Sequence, residues 1–296
     1  MRLRAGARDW RFPRARPLVM GILNATPDSV SDRTHLDTLE ARVAHGRALV
    51  EAGADLVDVG GESGRTDRPP VSAAEEIARI EATVAALAAE GVAVSVDTFR
   101  AEVAEAAVAA GAVMLNDVSG LADPQMAALA GRTGAALVVM HTRAAPKEAD
   151  FPGYEDPVGE VVSFLRERME TALEAGAEPD QLVLDPGLDY AKTPAESIEV
   201  LRRLGELRTL GRPLLLAVSR KYFVGMVTGR APDERAAGTL AAIAHGIDVG
   251  AAILRVHDVR GTADFLAVRE ALRGEGPPAL GGDPADERLK WLHPGQ

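Results

Sequence analysis

Four polar side chains stand at separate points of the sequence, each at or just after the end of a short apolar run. They are Asp97, Asn116, Asp185 and Lys221. Aspartate accepts hydrogen bonds, asparagine accepts and donates, and lysine donates, so the set suits a flat heterocycle that presents several N–H donors. If the fold brings them together, these residue types predict a pocket for a guanidine-like ring edge.

Three further side chains could hold a phosphate or pyrophosphate as cationic donors. These are Arg65, Arg255 and His257. Asn24, with Asp28 and Asp32 in the following loop, could provide hard oxygen ligands to Mg²⁺, which commonly binds through substrate phosphates. Asp28 also lies in a Thr-Pro-Asp-Ser stretch, where an aspartate that caps a turn is an equally good interpretation.

Signatures of other catalytic classes do not occur in the sequence. There is no G-x-S-x-G nucleophile elbow and no H-E-x-x-H zinc helix. The absence of cysteine excludes a disulfide scaffold, thiolate catalysis and cysteine-ligated zinc or iron–sulfur sites, and it fits a reducing cytoplasm. Hydrolysis by paired carboxylates is compatible with the acidic residues but leaves the basic ones without a role.

The overall composition restricts the partners. A net charge of -11 opposes general binding to nucleic acid, because a polyanion is repelled unless a basic patch is concentrated in one place. No apolar run approaches the roughly 20 residues needed to cross a bilayer. The N-terminus has arginines but no apolar stretch after them, so it is not a secretory signal. We therefore expect a cytoplasmic globular protein with small-molecule substrates and without nucleic-acid or membrane partners.

Short apolar runs alternate with Ala-rich helical patterns, and this alternation repeats along the chain. The runs cover residues 17–23, 54–60, 92–97, 112–117, 135–140, 181–185, 213–219 and 251–256. Near-continuous apolar strands are typical of a parallel sheet buried on both faces, with helices as crossovers. Such units over about 257 residues match an α/β fold of the (β/α)8 TIM-barrel type in number and size. An open doubly wound sheet is the competing topology, but no G-x-G-x-x-G follows the first run.

In a barrel of this type the catalytic groups lie at the C-terminal ends of the strands. Every run ends in polar or charged residues, which include Asn24, residues 60–65, His141 and residues 219–221. A single aspartate after a strand is more often a cap or a turn residue, whereas polar residues at all the strand ends favour a functional mouth. His141, taken alone, is as easily structural as catalytic.

We predict one domain over residues 17–273. Residues 1–16 contain six arginines and residues 274–296 are rich in Gly and Pro, so both are expected to be flexible or loosely docked arms. The two tryptophans, Trp10 and Trp291, belong to these arms.

A series of motifs, in order and with fitting spacing, makes the chain similar to the dihydropteroate synthase family over nearly the whole predicted barrel. They are MGILNATPDSVSD (20–32), DVGGES (58–63), SVDT (95–98), NDVSG (116–120), VVMH (138–141), DPG (185–187) with Lys192-Thr193, SRK (219–221) and RVHDV (255–259). The resemblance implies a (β/α)8 barrel, usually dimeric. The resemblance also implies an enzyme that uses Mg²⁺, joins 6-hydroxymethyl-7,8-dihydropterin diphosphate to p-aminobenzoate and releases pyrophosphate.

In the family the diphosphate leaves first, and the arylamine attacks the resulting pterin carbocation. The resemblance implies that the pterin ring contacts Asp97, Asn116, Met140, Asp185 and Lys221. The catalytic residues would be Asp97, Asp185, Lys221 and Arg255. The diphosphate would bind Asn24, Arg65, Arg255 and His257. Asn24 would also be the metal ligand, and Asp32 occupies the position of the aspartate in the family's first loop. The p-aminobenzoate side would comprise Gly64, Thr66, Tyr190 and Ser219.

The sequence departs from the family pattern on the p-aminobenzoate side, whereas the pterin side is intact. Val30 replaces the usual phenylalanine of the first loop, and the second loop reads S-G-R-T-D over residues 63–67 instead of S-T-R-P-G. The usual G-F-G-K is D-Y-A-K over residues 189–192, and Tyr222 replaces the serine after S-R-K. Loss of an aromatic ring and of the Thr-Arg-Pro turn should change how a flat arylamine is held.

Several alternatives follow from these departures. The chain could be an ordinary synthase with changed loops, a synthase that discriminates against sulfonamides, or a paralogue that uses another nucleophile or binds pterin without catalysis. A pterin-binding methyltransferase is a further alternative, but residues 219–221 and 255–257 suit a diphosphate better than a methylfolate tail. We expect the ordinary synthase, as a homodimer. Residues 236–252 would form an Ala/Gly-rich helix that packs on the barrel or lies near the dimer interface.

Overall fold

The computed structural model describes residues 1–26, 36–63, 68–148, 150–274 and 282. The predictions made for individual residues in the first and second loops and in the C-terminal arm lie outside the described residues. They concern Asp28, Val30, Asp32, Gly64, Arg65, Thr66, Asp67 and Trp291. The predicted tail, residues 274–296, likewise lies outside them except for residues 274 and 282.

Eight parallel strands of the described chain close into a barrel. Two short strands precede them, β1 (Arg2–Ala5) and β2 (Arg8–Arg11). The barrel strands are β3 (Leu18–Asn24), β4 (Leu56–Gly60), β5 (Val94–Asp97), β6 (Met114–Asp117), β7 (Ala136–Met140), β8 (Leu182–Asp185), β9 (Leu214–Leu216) and β10 (Ala251–Val256). Each pairs with the next along the chain, and β10 pairs with β3. The apolar runs are the barrel strands, so the (β/α)8 prediction is confirmed.

Helices connect the strands on the outside of the barrel. They are α1 (Leu39–Glu51), α2 (Ala73–Ala89), α3 (Ala101–Ala109), α4 (Gln125–Thr133), α5 (Pro157–Glu174), α6 (Pro194–Arg202), α7 (Tyr222–Thr228), α8 (Ala236–Asp248) and α9 (Val259–Arg273). Thr38 and Ser72 cap α1 and α2, and Thr193 forms a capping box with Glu196 at the start of α6. Over the described residues, none of the helices has the length and apolar character needed to span a membrane.

Side chains along each barrel strand alternate between the interior and the helix layer. In β4, Val57 and Val59 pack with the outer apolar cluster, while Leu56 belongs to the cluster inside the barrel. Asp58 therefore points inward, and it is fully buried. The interior is apolar towards the N-terminal ends of the strands and becomes polar where the strands end.

Residues 1–16 form a hairpin that packs on the barrel, which corrects the prediction of a flexible arm. Strands β1 and β2 form an antiparallel hairpin in which Leu3 lies opposite Trp10. Leu3 and Ala5 are fully buried and join Phe12 and Met20 in the apolar cluster inside the barrel. The alternation Arg-Leu-Arg-Ala places the apolar residues on one face, and burial of that face holds the hairpin against the barrel.

Candidate active site

A cavity of about 670 Å³ opens where the barrel strands end. Its walls come from residues at and after the ends of all eight barrel strands. The predicted site residues in these walls are Asn24, Asp97, Tyr190, Ser219, Lys221, Arg255 and His257. Three others, Asn116, Met140 and Asp185, are almost fully buried. The predicted mouth therefore exists, with part of the predicted set lying beneath its surface.

Arg255 is held between two carboxylates at this end of the barrel. Its Nε donates to Asp58 Oδ2 at 2.7 Å, and an Nη donates to Asp97 Oδ2 at 2.6 Å. Asp58 Oδ2 also accepts from Asn116 Nδ2 at 3.0 Å. One network of side chains therefore joins β4, β5, β6 and β10. Hydrogen bonds between charged partners are shorter and stronger than neutral ones, so the network fixes these side chains relative to one another.

Asp58 belongs to this network, and no sequence prediction assigned it a role. Its Oδ2 serves both Arg255 and Asn116, whereas its Oδ1 is buried and finds no hydrogen-bond partner in the described part of the chain. The signal in the sequence is an aspartate between two valines of an apolar run, since a charge at an interior strand position is costly unless it is paired.

Burial governs the charges of this network. It raises the pKa of Asp97 to about 7, against the opposing effect of the Arg255 cation. It also raises the pKa of Asp185 and lowers the pKa of Lys221. Burial works against the Arg255 cation too, but the carboxylates of Asp58 and Asp97 outweigh it and raise the Arg255 pKa. Arg255 therefore stays cationic, whereas the charges of Asp97, Asp185 and Lys221 depend on the ligand that binds beside them.

Lys221 and Tyr190 connect the predicted pterin side with the predicted p-aminobenzoate side. Lys221 Nζ lies 4.3 Å from the centroid of the Tyr190 ring, which is within cation–π range. Burial, followed by the Asp97 carboxylate, raises the pKa of Tyr190 to about 12. The carboxylate of Asp97 on the predicted pterin side thus affects the pKa of Tyr190, although Tyr190 was predicted only on the p-aminobenzoate side.

Ser219 and His257 form a pair after β9 and β10. Ser219 Oγ accepts from the His257 backbone amide at 3.2 Å and lies 2.9 Å from Nδ1 of its ring. When the hydroxyl donates to Nδ1, the ring carries its hydrogen on Nε2. Burial lowers the pKa of His257 to about 3, so the ring is neutral at pH 7. In the free protein His257 is therefore a neutral ring, which differs from the cationic donor expected from the sequence.

Lys192 holds the loop between β8 and α6. Its side chain is buried, and Nζ donates to the carbonyl oxygens of Gly187 at 2.9 Å and Tyr190 at 3.1 Å. It also lies 2.6 Å from His141 Nδ1. Burial lowers the pKa of Lys192 to about 7 and that of His141 to about 2, so the neutral ring accepts at Nδ1. His141, for which the sequence allowed two roles, supports this loop.

The same loop contains two residues with left-handed backbone, Asp189 at φ +62° and Ala191 at φ +48°. Residues other than glycine rarely adopt this conformation. Asp189 Oδ2 accepts from the backbone amides of Tyr222 and Phe223, which are the first residues of α7, with 3.3 Å to the latter. The departures from the family pattern at positions 189 and 222 are therefore in direct contact.

Three residues were named as possible Mg²⁺ ligands, Asn24, Asp28 and Asp32. Of these, Asn24 lies within the described residues, at the end of β3. Within the described ranges, no group of three acidic, histidine or cysteine side chains could hold an ion. Mg²⁺ often takes only one or two protein oxygens and completes its shell with phosphate oxygens and water. The amide oxygen of Asn24, in the cavity wall, fits that mode of binding.

Comparison with known proteins agrees with this arrangement. The family model described as pterin binding enzyme matches residues 20–257. The dihydropteroate synthase of Mycobacterium leprae is 44% identical over 269 residues, which cover 88% of this chain and 94% of that protein. The dihydropteroate synthase of Bacillus subtilis is 41% identical over 261 residues, covering 88% and 90% respectively.

Solved structures give the same result. The dihydropteroate synthase of Xanthomonas albilineans with 4-aminobenzoic acid has a TM-score of 0.85 and 42% sequence identity, over 93% of this chain and 99% of that one. The complex of that enzyme with 7,8-dihydropteroate has a TM-score of 0.82 and 41% identity, with the same coverage. The chain is thus similar to these enzymes in fold and over nearly their whole length.

Proposed function

Because the chain belongs to the dihydropteroate synthases of the pterin-binding enzyme family, we propose that it makes 7,8-dihydropteroate for folate biosynthesis. The substrates would be 6-hydroxymethyl-7,8-dihydropterin diphosphate and p-aminobenzoate, with pyrophosphate as the second product. The observation that carries the proposal is the network of Asp58, Asp97, Asn116 and Arg255 at the barrel mouth.

The pterin ring is assigned to Asp97, Asn116 and Asp185. These acceptors converge from β5, β6 and β8, and ring N–H groups would satisfy them. A ring N–H that donates to Asp97 would stabilise its ionised form and so lower a pKa that burial has raised. Lys221 would donate to a ring carbonyl or nitrogen, and Met140 at the end of β7 would supply apolar contact.

The reaction breaks the bond between the exocyclic methylene carbon and the diphosphate oxygen, and it forms a bond from that carbon to the arylamine nitrogen, which loses a proton. The carboxylates of Asp97 and Asp185 would stabilise the positive charge left on the pterin. Arg255 and the Nε2–H of His257 would donate to the departing anion. Asn24 would hold Mg²⁺, which when bound neutralises part of the diphosphate charge.

The second substrate is assigned to the part of the cavity beside the loops that follow β8 and β9. The Xanthomonas albilineans relative, which holds 4-aminobenzoic acid, supports p-aminobenzoate as this substrate. Tyr190 offers an aromatic surface and Lys221 a cation, and both line the cavity. Ser219 lines it too but is bonded to His257, so we place it between the two substrates.

The decisive experiment measures pyrophosphate release from the pterin diphosphate with Mg²⁺, with and without p-aminobenzoate, and identifies the product by mass. Formation of dihydropteroate would establish the synthase, and parallel titration with sulfamethoxazole would test the sulfonamide-tolerant alternative. Pyrophosphate release that yields no dihydropteroate would replace p-aminobenzoate by another nucleophile. Binding of the pterin diphosphate without any release would contradict the proposal in favour of a non-catalytic paralogue.

The proposal includes a cytoplasmic homodimer, as the family resemblance implies. Adjacent apolar side chains on α7 support self-association, because Met226 and Val227 are 58% and 69% exposed. Sedimentation at several concentrations tests it, and a monomer throughout would contradict this part of the proposal.

A further inference from the structure

The second-substrate side of the cavity contains a carboxylate of the protein itself. Asp189 lines the cavity together with Tyr190, Lys221 and Tyr222. Its Oδ2 accepts from the first two backbone amides of α7. Its Oδ1 is buried and finds no hydrogen-bond partner over the described stretches. One oxygen of this carboxylate therefore bonds to α7, and the other is buried without a partner among the described residues, so the carboxylate acts on the cavity through its charge.

The loop holds this carboxylate in place. Aspartate is one of the few residues that adopt left-handed backbone readily, and Asp189 has a φ of +62°. Its own amide donates to Ser197 Oγ at 3.0 Å, and the next carbonyl, that of Tyr190, accepts from the buried Lys192 at 3.1 Å. Bonds on both sides of the residue, as well as at its side chain, oppose movement of the carboxylate away from α7.

The charge of Asp189 offsets the nearby cation. Among the charges acting on Lys221, Asp189 does most to raise its pKa, although burial lowers that pKa more. A substrate carboxylate that approached Lys221 would gain attraction from the ammonium and meet repulsion from Asp189. Arg235, also in the cavity wall, donates to the backbone carbonyls of residues 220 and 221 and is committed to holding that turn.

We propose that Asp189 is a specificity-determining residue that disfavours the carboxylate of p-aminobenzoate relative to an uncharged arylamine. The inference rests on the proposed function and narrows it to the charge of the second substrate. The charge of Asp189 would repel a carboxylate at this end of the cavity, whereas an uncharged group in the same place meets no such repulsion. Specificity of this kind arises from a repulsive element as well as an attractive one.

The test compares p-aminobenzoate with p-aminobenzamide, its uncharged isostere, in the full-length enzyme and in two variants. Asp189→Asn keeps an oxygen acceptor for the α7 amides and removes the charge. Asp189→Gly removes both and restores the residue usual in the family. Asp156→Asn is the control, since the Asp156 carboxylate likewise accepts from a backbone amide in the first turn of a helix, α5, and does not line the cavity.

We expect kcat/KM for the acid relative to the amide to rise about tenfold in Asp189→Asn, mainly through KM, and at least as much in Asp189→Gly. The ratio should stay at the wild-type value in Asp156→Asn. If both substrates change in parallel in the Asp189 variants, the residue is only a helix cap and the inference is wrong. Calorimetric titration of acid and amide with pyrophosphate in place of the pterin diphosphate, so that no electrophile is present, measures the ratio of the two affinities without turnover. It therefore separates this inference from failure of the proposed function, in which the wild type would turn over neither amine.

Discussion

The two sides of the cavity are built differently. On the pterin side, Asp58, Asp97 and Arg255 project from barrel strands, so strand pairing and alternation set their positions. On the second-substrate side, Asp189 and Tyr190 stand on a loop that is held by hydrogen bonds between side chains and backbone, within the loop and to α7. Loops can change without altering the barrel that carries them. The difference separates the part of the site that the pterin chemistry requires from the part that can be adapted to a different amine.

Removal of the central carboxylate should damage the pterin side most. Asp58→Ala leaves Arg255 and Asn116 without their shared acceptor, and removal of one partner of a buried pair costs about 3–5 kcal/mol. We expect the free energy of unfolding to fall by that order. Binding of the pterin diphosphate should weaken about a hundredfold or more, which corresponds to roughly 2.8 kcal/mol. Denaturant unfolding and calorimetric titration measure the two quantities.

The control for this variant lies at the other end of the barrel. Asp55 pairs with Arg16 at 2.7 Å and accepts from the amide of Val19 at 2.8 Å. Asp55→Ala should also lower stability, but pterin binding should stay within about twofold of the wild type because the sites are independent. Pterin binding that survives Asp58→Ala intact would show that the network is not the pterin site.

The second prediction concerns the charge of the pterin side. In the proposed mechanism the ionised form of Asp97 accepts ring N–H donors and stabilises the cation, and burial raises the pKa of Asp97 to about 7. The carboxyl is therefore protonated below that pH in the free enzyme, so kcat/KM for the pterin diphosphate should rise as the pH rises through about 7. Asp97→Asn should be about a hundredfold less active and lack this step. A step at the same pH in the variant would assign the titration to another group.

The third prediction separates the two sides directly. Lys192→Met removes the donor that holds the carbonyls of Gly187 and Tyr190, so Tyr190 loses its fixed position beside Lys221. Small displacements of positioning groups are costly, and we expect KM for p-aminobenzoate to rise about tenfold. Affinity for the pterin diphosphate, measured by calorimetric titration in the same preparation, should change less than about twofold. Equal losses on both sides would mean that the loop and the strand-borne network are one unit.

The positions of most strand-borne residues could be predicted from the sequence, whereas the contacts that hold the loop-borne residues could not. Apolar runs with polar ends locate Asp97 and Asn116, because the barrel brings all strand ends to one rim. The contact of Lys192 with His141 joins residues on two different loops, and neither shows a local signal for it. The neutral state of His257 depends on burial, which residue type does not reveal.

Elsewhere, local patterns were outweighed by composition. The first sixteen residues were predicted to be an arm because six arginines dominate them, yet Leu3 and Ala5 alternate with arginines as in a half-buried strand. Asp58 is not among the predicted site residues because it lies within an apolar run and not at its end. In both segments the alternation of side chains along a strand indicates which residues point inward, but the overall polarity of the segment conceals this alternation.

The smallest expected effect tests whether the loop-borne side is strained. Ala191 is buried with a φ of +48°, and left-handed backbone costs an alanine about 1–2 kcal/mol. Glycine removes that cost but loses about 0.5–1 kcal/mol more conformational entropy on folding. Ala191→Gly should therefore raise the free energy of unfolding by about 0.5–1 kcal/mol, measured by denaturant titration.

The matched control for this substitution is Ala110→Gly at the end of α3, where the backbone is right-handed with a φ of -79°. There glycine relieves nothing, so the same substitution should lower the free energy of unfolding by about 0.5–1 kcal/mol. Opposite signs at the two alanines would mean that the barrel maintains a strained turn to present Asp189 and Tyr190. Loss of stability at both would mean that the turn is relaxed, and the second-substrate side would then differ from the pterin side only in where its residues are attached.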